Sequence, residues 1–260
     1  LAPFRIAEQP KPVSFYTTTP ESEREALKIS IQSIGLDNGE TVSVQWKNED
    51  GTAAADAKEL TITAGTCVDT VHLGAGTYYC EISYKGYVLQ SDTVTATETV
   101  CGHPSRNDDG KCSQCHCELA ASVTLGERTT YYETFAEALG AAQTEENRGS
   151  TLTIYQDIAD NAEVSGGSFT LEAGTNTISG TVQVESGAEL IIGSGTITGA
   201  VTVQGSLMVQ GGSLSDTVTA ADGAVLTVRD GSLGIVSLEN GASAFLSGGS
   251  YKKLASGGEG

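Results

Sequence analysis

Gly187, Gly205, Gly223 and Gly241 stand 18 residues apart in the last part of this 260-residue chain. Each glycine lies between two short apolar pairs. Before it come Val182/Val184, Val201/Val203, Val218/Ala220 and Val236/Leu238. After it come Leu190/Ile192, Leu207/Val209, Leu226/Val228 and Ala244/Leu246. A third signature, apolar-x-x-Gly-[Ser/Thr]-apolar, then recurs as IGSGTI, VQGGSL, VRDGSL and LSGGSY. Alternation within each pair is the period of a strand with one buried face. A fixed repeat of this length marks stacked coils, which bury a core only against their neighbours. The segment 150–260 therefore reads as a parallel β-helix. A left-handed helix of the same coil length is built from hexapeptides. The inward positions 182, 184, 190, 192 and 197 keep no six-residue grid, so a right-handed helix is expected. The final LASGG starts another rung with Leu254 in an apolar slot, and the repeat is read as truncated there.

Upstream lies ERTTYYETFAEALGAAQ. Thr130-x-x-Glu133 has the form of a capping box, and Tyr132, Phe135, Leu139 and Ala142 recur at helical spacing. The expectation is a capping α-helix that lids the β-helix, so that 121–260 forms one domain. The phrase FTLEAGTNTISGTVQVESGAELIIGSGTITG resembles the pectate-lyase-like β-helical regions of secreted and wall-attached Firmicutes proteins. That resemblance speaks to fold, not to activity.

Residues 1–98 follow other rules. All five prolines fall at or before Pro104, and strand-like runs alternate with turn signals as in a β-sandwich. Val42, Val44 and Trp46 share one face of TVSVQWKN; Tyr78, Cys80 and Ile82 share one face of GTYYCEIS. Gln9-Pro10 after an extended run, the tryptophan of VQWKNEDG and the late G-T-Y-Y-C make this block resemble a bacterial immunoglobulin-like domain. Tyr78 then stands where that family has its tyrosine corner. The family's core cysteines imply a disulfide at Cys80. The expected second strand, ALKISIQSI, holds no cysteine, which leaves Cys67 as the partner. Two buried thiols acting as small core hydrophobes are the alternative.

Between these blocks, 99–120 carries CGHPSRNDDGKCSQCHC, with four of the six cysteines. Cys101-x-His103 and Cys112-x-x-Cys115 have the spacing of a closed structural zinc site. The stretch resembles C-x-H…D-G-x-C-x-x-C-G modules of Firmicutes surface proteins. His116 replaces the family's glycine and Cys117 is extra, so both are alternate ligands. Three other readings stay open: disulfides among Cys101, Cys112, Cys115 and Cys117, a redox Cys-x-x-Cys, and a calcium loop through Ser105, Asn107 and Asp109. As a structural site, the stretch would act as a joint between its neighbours.

Net charge is −19, which opposes nucleic acid and anionic membranes. No run approaches the ~18–20 apolar residues of a membrane span, and the chain, starting at Leu1, reads as a trimmed fragment. Catalysis on a β-helix needs converging carboxylates or bases. Glu185, Glu189, Asp216, Asp222, Asp230 and Glu239 instead fall mostly in turns, Arg229–Asp230 reads as a solvated turn, and no histidine follows His116. The expected protein is a mainly β, non-enzymatic, secreted or wall-attached surface protein, built as an immunoglobulin-like sandwich, a Cys/His module and a capped right-handed β-helix. It would carry structural zinc, and would bind a host or bacterial glycan or surface protein, or act as a spacer. The alternatives are a polysaccharide lyase or hydrolase and a carbohydrate-binding module.

Overall fold

The structure is a computed structural model and describes residues 2–256. The chain forms two compact units that divide between Gly102 and His103. The Cys/His stretch, expected as a separate module, thus falls with the second unit from His103 onward.

The first unit has two sheets. Phe4–Glu8, Leu27–Ser33 and Thr66–Val71 form an antiparallel three-stranded sheet in that order. The other sheet runs Val13–Tyr16, Val94–Thr99, Gly76–Tyr84, Thr41–Asn48, Lys58–Thr61, with Tyr87–Gln90 also paired to Gly76–Tyr84. Among the described residues of this unit, only Val13–Tyr16 with Val94–Thr99 pairs parallel. Alternation places Val42, Val44 and Trp46 inward, and they are buried with residues of the smaller sheet in one apolar cluster. The Tyr78 hydroxyl donates to the Gly74 carbonyl at 3.1 Å.

Cys67 and Cys80 are free buried thiols, not the expected disulfide. Cys67 sits on the edge strand opposite Ile31, and Cys80 lies opposite Trp46. The middle strand of the small sheet fills its inward positions with Ile29 and Ile31. Each thiol therefore serves as a small apolar side chain. Burial raises both thiol pKa values, with Asp69 adding to it, and Cys80 is pushed up to about 12.

Among the described residues, Asp69 is the one charged group in this core, 4% exposed. Its Oδ2 accepts from Trp46 Nε1 at 2.8 Å and its Oδ1 from Lys58 Nζ at 3.1 Å. Asp69→Ala leaves the buried indole N–H without an acceptor. We expect a loss of about 2 kcal/mol in urea unfolding, and a smaller loss for Asp69→Asn, which keeps a carbonyl acceptor.

The second unit is a β-solenoid of about six turns. Its apolar pairs stack in register. Val182, Val201, Val218 and Val236 pair in sequence, as do Leu190, Leu207, Leu226 and Ala244. The third signature forms its own line of Ile197, Leu214, Leu233 and Tyr251. Apart from the exposed Tyr251, these residues belong to or pack against one continuous core. Side chains also tie adjacent rungs, as where Asp157 Oδ1 and Asn161 Oδ1 accept from the amides of Thr177 and Thr181. Leu254 pairs with Val236 in its expected slot and is 44% exposed. Gly257 and Gly258 of LASGG lie outside the described residues.

At the other end, Ala121–Leu125 pairs antiparallel with both Arg128–Tyr132 and the first coil strand, Ser150–Ile154. The helix that follows, α1 (Phe135–Ala142), buries Phe135, Ala138, Leu139 and Ala142. Its start differs from the Thr130-x-x-Glu133 box. The ERTTYY run is rich in β-branched and aromatic residues, and it completes a hairpin at Gly126 (φ +60°). The cap is Thr134, whose Oγ1 accepts from the Glu137 amide at 3.3 Å and donates to Glu137 Oε2 at 2.8 Å. Thr134→Ala should cost about 1 kcal/mol in thermal or urea unfolding, and Thr130→Ala much less.

Candidate metal centre

The loop 101–117 gains its shape from short backbone contacts. Arg106 and Cys112 form an antiparallel bridge, closed by a turn in which the Gly110 amide donates to Asn107 O at 3.0 Å. Gly110 has φ +90°, and a Cβ there would meet the Arg106 guanidinium at 2.9 Å. That guanidinium lies over the Tyr155 ring, 4.1 Å from its centroid. After Cys112 the chain turns back, with the His116 amide donating to Cys112 O at 3.1 Å and the Gln114 amide reaching Cys112 Sγ at 3.4 Å. This is the knuckle that brings two thiols of Cys-x-x-Cys to one side.

Cys101, His103, Cys112 and Cys115 come together as the spacing predicts. Each offers one ligand atom, and these atoms all lie within 4.8 Å of one another. They belong to one continuous loop, and the three sulfurs are buried. Ligand sulfurs of a tetrahedral zinc stand about 3.8 Å apart, given Zn–S bonds of ~2.3 Å. Three soft sulfurs with one imidazole suit zinc and poorly suit calcium or magnesium. The four residues can hold a metal ion, and no disulfide joins them.

The electrostatics prepare the donors. Burial pushes the Cys112 thiol up, but the amides of Cys115 and Gln114 and the His103 ring outweigh it, and its pKa falls below the usual thiol range. Burial works against charge on His103, yet hydrogen bonds with Cys112 and Cys115 outweigh it and raise its pKa. His103 Nδ1 faces the sulfurs, 3.5 Å from Cys115 Sγ and 3.7 Å from Cys117 Sγ. Its Nε2 lies 3.1 Å from Glu133 Oε1. A carboxylate on the far nitrogen fixes the ring and makes it a better ligand.

The two alternates separate. His116 is exposed and takes φ +59°, in the left-handed region that favours glycine. It is not among the clustered ligands. Cys117 lies 3.3 Å from Cys115 Sγ, outside the four-residue set, and groups instead with His103 and Glu133. Burial and the neighbouring Cys115 push its pKa up to about 12. The calcium-loop residues are engaged otherwise: Ser105 Oγ donates to Ser113 Oγ at 2.7 Å, and Asp109 Oδ1 accepts from the Lys111 amide at 3.3 Å. No helix starts at Cys112–Cys115 among the described residues, so the knuckle lacks the helix N-terminus of a redox motif. Glu133, read from sequence as a capping residue, is the partner that no spacing rule placed beside His103.

The solenoid offers a second feature, a groove of about 290 Å³. Ser213, Ser232 and Ser250 stack in register along it, with Ser232 Oγ donating to Ser213 Oγ at 2.9 Å. Ser215, Tyr251 and Lys252 also line it, with Leu214, Leu233 and Gly234. The tyrosine is 48% exposed.

Comparison with protein-family models, with curated proteins and with solved structures finds no match to this chain.

Proposed function

We propose that this chain is part of a non-enzymatic extracellular surface protein whose solenoid contacts a glycan, and whose Cys/His loop is stapled by structural zinc. The groove carries the glycan reading. A ladder of serine hydroxyls beside an exposed tyrosine offers directional hydrogen bonds and an apolar ring face, the pair of surfaces a sugar presents to a protein. The net charge of −19 favours a neutral sugar over a uronic polymer.

Zinc is supported by the donor set, and a structural role by its closure: four protein ligands leave no position for water. In the first unit, an immunoglobulin-like sandwich is supported by the strand order, the one parallel pair, the Tyr78–Gly74 bond and Trp46 opposite Cys80. Right-handed coiling is supported by rungs of unequal length, since Val182, Val201, Val218 and Val236 are the paired positions and hexapeptide coils keep a strict count. An external location is a further part of the reading, and detection on intact cells would test it.

Neutral and acidic glycans screened against the full chain test the function. Binding of a neutral glycan, weakened about tenfold by Tyr251→Ala, is the expected result. No binding, or cleavage of a uronic polymer, overturns it.

A further inference from the structure

Cys117 has no role in the four-ligand set, yet it lies against it. We propose that Cys117 and Glu133 form an outer position, shared with His103, through which the metal ion enters and leaves the buried site. The inference rests on reading Cys101, His103, Cys112 and Cys115 as a metal centre.

Three observations carry it. First, His103, Cys117 and Glu133 form their own group of potential ligands, with donor atoms within 4.8 Å of one another and none of the three fully buried. The inner sulfurs of Cys101, Cys112 and Cys115 are 7%, 0% and 5% exposed as residues, so an ion reaches the outer group first. Second, the two groups touch. Cys117 Sγ is 3.3 Å from Cys115 Sγ and 3.7 Å from the His103 nitrogen that faces the inner sulfurs. An ion bonded to Cys117 is therefore already beside two inner ligands. Third, the His103 side chain is 13% exposed and that of Glu133 36%, so the carboxylate is the more open to solvent of the two.

The path follows from ligand exchange. Cys117 loses its thiol proton to solvent as it binds the ion with Glu133. The thiols of Cys101, Cys112 and Cys115 then replace both in turn, each releasing its proton as it binds. Cys117 takes a proton back, and Glu133 returns to accept from His103 Nε2–H. No ligand is oxidised and the ion keeps its charge. A closed tetrahedral site has no vacancy for incoming metal, so such an outer foothold shortens exchange without adding to the final affinity.

The test uses the full chain loaded with zinc, with zinc transfer to a chelator and exchange of bound zinc for added Co²⁺ followed in time. For Cys117→Ser we expect release and uptake both to slow about tenfold, with equilibrium affinity and about one ion per chain unchanged. The Co²⁺ form should keep the same thiolate charge-transfer intensity. Unchanged rates in Cys117→Ser overturn the proposal. So does a fall in charge-transfer intensity, which makes Cys117 a resident ligand. Glu133→Gln separates exchange from simple support of His103: release and uptake slowed together at unchanged affinity support the path, and faster release at unchanged uptake, which weakens affinity, overturns the part given to Glu133 and leaves it to support alone. A parent chain that binds no metal would instead overturn the metal-centre reading on which this one rests.

Discussion

Cys112→Ala should abolish metal binding at the proposed centre and leave its loop without order. Cys112 is fully buried, and it supplies both a donor and the turn that presents Cys115. Loops of this length bury too little apolar surface to hold a shape alone, and a structural zinc site contributes on the order of 10 kcal/mol of folding free energy to its module. With two sulfurs and one imidazole left, affinity should fall by several orders of magnitude. Metal analysis should drop from about one zinc per chain to a trace, and hydrogen exchange should show amides of 105–119 losing protection. The solenoid core does not share these ligands, so amides of 182–236 should keep theirs. Retention of stoichiometric zinc in Cys112→Ala would remove the centre as described.

The solenoid was legible almost residue by residue because its tertiary contacts copy its sequence period. A residue meets its counterpart one rung away, so the apolar pairs around Gly187 to Gly241 are also the paired positions of the sheet. Where partners are distant in sequence, the pattern says less. Burial of Val42, Val44 and Trp46 follows from alternation, but the partner of Cys80 does not: family likeness pointed to Cys67, and the packing leaves both thiols apart. The capping box failed for a local reason. Thr130 and Thr134 each precede a glutamate by three residues, and the choice between them rests on a hairpin formed with Ala121–Leu125. The four clustered residues were legible because the Cys-x-His and Cys-x-x-Cys spacings of a metal-binding knuckle are local. Glu133 was not, since only the folded hairpin brings it to His103.

The glycines of the solenoid separate into two kinds that a repeat count treats alike, and substitution should expose the difference. Gly187 has φ +85° and open space where a Cβ would stand, so Gly187→Ala meets only backbone strain, about 1 kcal/mol. Gly199 is not periodic in the same series. Its φ lies outside the left-handed region, but a Cβ there would drive into the carbonyl of Gly180 in the neighbouring rung. Gly180 in turn faces the Asp160 carbonyl with the same lack of room. The three positions form one corner, where successive rungs approach backbone to backbone. Rungs cannot separate there without breaking the pairing of Val182–Val184 with Val201–Val203. Gly199→Ala should therefore cost about 3 kcal/mol, lowering the urea midpoint and the hydrogen-exchange protection of residues 178–203 most strongly, because a stack transmits damage chiefly to nearest neighbours. Equal losses for Gly187→Ala and Gly199→Ala would show that the corner can relax and that rung spacing is not set by these glycines. Within the 18-residue series, Gly187, Gly223 and Gly241 form turns at positive φ, whereas Gly205 faces the carbonyls of Glu185 and Ala188. The less regular Gly180 and Gly199 hold the rungs at their spacing.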